Sequence, residues 1–162
     1  MFKVAASSTG KYHPQFALGD GGLARHTVAL VRILNHIFGV ESVANKFTSR
    51  ERDLLRVAGI AHDMMKSGTQ EEYEKNKYTK FDHPLRAANM VRDLKGLPIE
   101  EKEYIASAIE SHMGQWNESK RDPGIILPKP ETDAQILLHV CDYLASRKDI
   151  DVKFDAPIPE VK

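Results

Sequence analysis

RDLLRVAGIAHDMMKSG, residues 52–68, is the stretch whose reading decides the fold. Leu54, Leu55, Val57, Ala58, Ile60 and Ala61 read as a buried helix whose apolar residues are turned inward. Thr48 and Glu51 stand at capping-box spacing just upstream, which starts the helix. The spacing predicts a helix from about Thr48 to Met65, stopped by Gly68. The inward stripe ends in His62, with Asp63 beside it and Lys66 one turn on. A buried carboxylate is costly unless it is paired or bound to metal, so the dipeptide asks for a chemical reason.

Working outward, the helical period persists almost throughout. Leu23, His26, Thr27, Leu30, Ile33, Leu34 and Ile37 form one stripe of a helix from about Gly22 to Phe38. Residues 69–82 are polar, mixed in charge and long for a loop, a kind of connection that is often functional. A further helix begins at His83-Pro84, because proline suits a first turn, and runs to about Leu94 before Gly96. The next begins near Pro98 and carries Ile105, Ala108, Ile109 and His112. Residues 117–131 hold three prolines and read as irregular. The last helix runs from about Asp133 to Ile150, and 151–162 reads as an extended tail. No strand pattern persists. The expected fold class is all-α, a bundle of five or more helices, in one domain over 1–162 with its core at about 18–150.

Composition narrows the function classes. The 162 residues are 41% hydrophobic and 28% charged, with no formal net charge, which suits a globular protein and argues against a polyanion-binding tail. The single cysteine, Cys141, excludes an intrachain disulfide and a four-cysteine zinc site. No segment reads as a membrane span, and the N-terminal residues lack the apolar run of a signal peptide. The expected location is cytoplasmic.

Three histidines, His26, His62 and His112, fall on stripes that point inward, and Asp63 and Asp142 sit in helices that are otherwise apolar on the core side. One such histidine alone is more often a hydrogen-bonded core residue than a ligand. Several imidazoles and carboxylates converging from different helices are how bundle cores build metal sites. Without thiolates the set suits iron, manganese, cobalt, nickel or zinc. His62 and Asp63 lie about 100° apart around their helix, so they share one ion at its inner edge or serve two neighbouring ions.

These residues resemble the HD-domain superfamily of metal-dependent phosphohydrolases. The signature is carried by His26 in GGLARHT, His62-Asp63 in AHDMMKSG and Asp142 in HVCDYLASR. His83 in FDHP and His112 in IESHMGQW stand where two-metal members have extra histidines. The pattern is similar to that of cyclic-nucleotide phosphodiesterases, HD-GYP phosphodiesterases and diadenosine tetraphosphate hydrolases, although the GYP motif is absent. The GGLxxHT context also resembles the HD domain of certain bacterial 3′-to-5′ exoribonucleases, which carry an additional OB-type module.

The resemblance implies that His26, His62, Asp63 and Asp142 bind one divalent transition metal, and that Asp63 bridges to a second held by His83 and His112. It implies hydrolysis of a nucleotide or other small phosphoester by metal-activated water, with Asp63 and Lys66 as catalytic residues and Lys66 on the substrate phosphate. Arg86, Trp116 and Arg147 are further candidate substrate contacts. For the arginines a solvated surface position is the commoner fate, and for a lone tryptophan it is the core. His139 reads as a structural neighbour of Asp142, Cys141 as packing, and His13 and His36 as surface residues. A mixed-valence di-iron oxygenase with the same six ligands and a 3′-end nuclease are the alternative activities. Nucleic acid is a less favoured partner than a small molecule.

Overall fold

The computed structural model describes residues 3–7, 10–11 and 13–150. Among these the chain is all-helical: α1 (Gly22–Phe38), α2 (Glu41–Ala44), α3 (Ser49–Ala61), α4 (Gln70–Lys75), α5 (His83–Arg92), α6 (Ile99–Ser111) and α7 (Asp133–Ala145). Short 3-10 turns lie at Gln15–Ala17 and Gly114–Trp116, and Glu118 and Ile126 form an isolated bridge. The expected tail at 151–162 lies outside the described residues. None of the helices is long and apolar enough to cross a membrane.

The helices pack because each turns an apolar stripe inward. Packing runs between α1 and α7, α1 and α3, α3 and α6, α6 and α7, and α5 and α6. Leu30, Leu34, Leu55, Ile105, Ile109 and Leu138 are fully buried at the centre. α3 approaches α1 closely at Gly59, where an added Cβ would lie 2.7 Å from Leu30 Cδ2. Cys141 is buried packing, as expected.

The helix boundaries differ from expectation at four points. α3 ends at Ala61, since His62 caps it and residues 62–67 tighten into turns. α5 ends at Arg92 and α7 at Ala145, capped by Ser146. Arg147 is therefore past the helix rather than on it. The region 69–82 is not all loop: α4 forms there, started by a reciprocal Thr69–Glu72 capping box. α4 buries no residue, so apolar periodicity had nothing to show.

Candidate metal centre

Six side chains from five helices meet at one place. His26 comes from the middle of α1 and Asp142 from α7. His62 and His112 are the C-caps of α3 and α6, Asp63 follows His62, and His83 is the first residue of α5. Helix ends are thereby aimed at the same point. The five residues other than Asp142 are at most 1% exposed, while the Asp142 carboxylate is 20% exposed.

Asp63 divides the cluster. Its Oδ2 lies 3.4 Å from His62 Nε2 and 4.0 Å from His26 Nε2. Asp142 Oδ1 completes that group, 2.9 Å from His26 Nε2 and 3.6 Å from His62 Nε2. The other oxygen, Oδ1, lies 2.9 Å from His83 Nε2 and 3.7 Å from His112 Nε2. One carboxylate thus faces two sets of imidazoles, one set on each oxygen.

The tautomers follow from the neighbours. His62, His83 and His112 each place Nδ1 2.7–2.8 Å from a backbone carbonyl three residues earlier, on Gly59, Lys80 and Ile109. A carbonyl only accepts, so each Nδ1 carries the proton. In neutral rings each Nε2 then presents a lone pair to the centre. His83 Nε2 and His112 Nε2 stand 3.4 Å apart; two lone pairs at that distance call for a cation or a proton between them. His62 Nε2, Asp63 Oδ1 and both nitrogens of His26 are buried without a hydrogen bond of sound geometry. Buried polar atoms are rarely left so. Orphaned acceptors, fixed tautomers and a donor set of nitrogen and oxygen fit divalent metal ions. Two ligand groups compatible with metal recur here, His26–His62–Asp142 and His62–Asp63–His112.

Residues 25–147 match the family model described as HD domain. The chain belongs to the HD-domain family. That family has the fold of metal-dependent phosphohydrolases, binds divalent metals and consists generally of hydrolases. Comparisons with curated proteins and with solved structures gave no match.

The electrostatics of the HD centre favour positive charge. Burial opposes ionisation of Asp63, but Lys66 and His62 outweigh it and hold the carboxyl well below its ordinary range. Asp142 is likewise held low against burial, by His26 and His62. Burial disfavours a charged His62, yet Asp63 and Asp142 push it up to about 10. His112 moves the other way, to about 3, through burial and the neighbouring His62. Two carboxylates so strongly ionised in a buried place require cations of some kind.

Lys66 is one of them. Its ammonium donates to Asp63 Oδ2 at 2.5 Å, with the side chain 16% exposed. Arg86 turns away to a structural duty: it donates to Asp82 (2.7 Å) and to both oxygens of Glu72 (2.8 and 2.9 Å), tying α4 to the start of α5. Trp116 is not in the core but 43% exposed, stacked on Tyr143 with ring centroids 5.5 Å apart. The Arg147 guanidinium lies 4.5 Å from the centroid of the same Tyr143 ring. The stack adjoins Asp142 in sequence. His139 Nδ1 donates to the carbonyl of His112 at 2.8 Å, so it steadies the backbone at His112.

Two residues escaped the sequence reading. Tyr143 had no signal beyond being next to Asp142. His13, expected at the surface, is half-buried with its ring 6.0 Å from that of His26. Burial, then Lys66 and His26, lower its pKa to about 4. His36 is exposed, as expected.

Proposed function

We propose that this HD domain is a phosphohydrolase acting on a small phosphoester, a nucleotide above all, with two divalent cations at the His/Asp centre. The observation that carries the proposal is the division of Asp63, one oxygen facing His26 and His62, which Asp142 also meets, and the other facing His83 and His112. His26, His62 and Asp142 would hold one cation with Asp63 Oδ2, and His83 and His112 the other with Oδ1. Bound there, such cations supply a nucleophile from water at neutral pH and offset charge on the phosphoryl group.

The protein's own groups supply the rest. Lys66 is a compact charge that can leave Asp63 for a phosphoryl oxygen. It also lines a cleft of about 420 Å³ with Lys3, Tyr73, Lys77, Tyr78 and Asp20, in which lysines outnumber carboxylates. That volume and charge suit an anionic small molecule. The Trp116–Tyr143 stack beside Asp142 offers a π-surface to a nucleobase, since any base can stack.

The test is hydrolysis of chromogenic phosphomonoesters, phosphodiesters and a nucleotide panel by protein loaded with each candidate metal. The expected result is metal-dependent turnover that falls more than about 100-fold in Asp63→Asn, beyond the 10–100-fold typical of outer-shell partners. Absence of turnover across the panel in folded, metal-loaded protein would defeat the proposal.

A further inference from the structure

The residues before position 25 lie outside the stretch that matches the HD family, yet they are fastened to α1. Val4 O accepts from Leu23 N at 2.8 Å and Ala17 O from Ala6 N at 3.1 Å. The Arg25 guanidinium donates to three carbonyls of this strap, those of Phe16 (2.5 Å), Leu18 (2.9 Å) and Asp20 (2.9 Å). Ala6, Pro14 and Ala17 are buried. Gly22 lets the strap lie flat, because a Cβ there would fall 2.2 Å from Ala17 O.

His13 precedes the buried Pro14 in this strap. Its ring rests against His26 at 6.0 Å between centroids, tilted by 58°. Lys66, Asp63 and Asp142 are all near enough to act on its charge. Its ring nitrogens make no hydrogen bond to any described residue. His13 is only half-buried, and neither ring nitrogen is among the buried atoms left without a partner, so both stay open to the surroundings. The same nitrogens are well placed for a ligand that enters the centre. A neutral imidazole has one N–H donor, and a preorganised donor beside developing phosphoryl charge acts strongly in a water-poor site.

We propose that His13 is a substrate-contacting residue of the centre, its ring N–H donating to a phosphoryl oxygen of the bound phosphoester. The proposal rests on the phosphohydrolase reading. It makes the strap a working part of the active site supplied from outside the family's common region. Neither group of potential metal ligands among the described residues includes His13.

The experiment compares manganese-loaded wild type, His13→Ala and His13→Gln. It measures metal per chain, melting temperature, calorimetric binding of inorganic phosphate, and turnover of bis(4-nitrophenyl) phosphate and the panel above. The expected result is unchanged metal content and melting in both variants. Phosphate binding and turnover fall about tenfold or more in His13→Ala, and His13→Gln, which keeps an N–H donor, recovers most of the loss. Unchanged binding and turnover in His13→Ala would overturn the proposal while leaving the phosphohydrolase reading intact. Loss of metal or of stability in His13→Ala would also overturn it, by making the ring a ligand or a packing group. If wild type neither binds phosphate nor hydrolyses any phosphoester, the phosphohydrolase reading fails and this proposal falls with it.

Discussion

A divalent cation held at Asp63 Oδ2 would compete for that oxygen with the Lys66 ammonium. At that range like charges repel appreciably even at the effective dielectric of a protein interior. Replacing the lysine therefore has opposite effects on binding and on chemistry. Lys66→Met is expected to tighten manganese binding about tenfold, equivalent to about 1.4 kcal/mol, and to lower turnover at the same time. Chelator competition and steady-state kinetics on the same preparation read both effects. Weaker metal binding, or turnover equal to wild type, would remove Lys66 from the role given to it. His26, His62 and His112 were legible because histidines on apolar stripes are conspicuous, whereas His83 entered through the resemblance. His13 was not legible, since it lies in a segment without periodicity where only the docked strap reveals what it faces.

Among the elements, the strap and α4 have the most to lose from local change. Gly22→Ala would drive a methyl group into the Ala17 carbonyl. Overpacking of this kind costs about 1–3 kcal/mol, and a domain of this size loses roughly 2–4 °C of melting temperature per kcal/mol. Calorimetry of Gly22→Ala should therefore show a fall of several degrees, whereas melting like wild type would mean that the strap is not clamped as described. α4 illustrates a different limit of reading a sequence. Its Thr69–Glu72 capping box was available as a signal, as it was for Thr48–Glu51 in α3. Six residues with no buried side chain are below the length at which an isolated helix is stable, and α4 is tied down by the Arg86 bridge to Glu72, made across fourteen residues.

For the molecule as a whole, a cation held at the centre would link metal binding to stability. Five nearly inaccessible polar side chains converge there, and a cation that binds only the folded chain stabilises it by mass action. Manganese at about 100 times its dissociation constant should add about 2.7 kcal/mol, a rise of roughly 5–10 °C in melting temperature. Excess chelator should reverse the shift. A melting temperature indifferent to every divalent metal tried would speak against the centre without any assay of activity. The linkage arises because α1, α3, α5, α6 and α7 each contribute to the cluster.

The sequence by itself determined α1, α3, α5, α6 and α7 and the H…HD…D pattern, because periodicity and local capping are written in neighbouring residues. It also placed His83 and His112 among the candidates. Tertiary structure alone decided that Asp63 divides its two oxygens between two sets of imidazoles, that Trp116, Tyr143 and Arg147 gather on one ring stack, and that His13 overhangs the centre. These are juxtapositions of residues far apart in the chain or in segments without a repeat. Their geometry depends on how helix ends and the strap dock in three dimensions, and no local spacing encodes that.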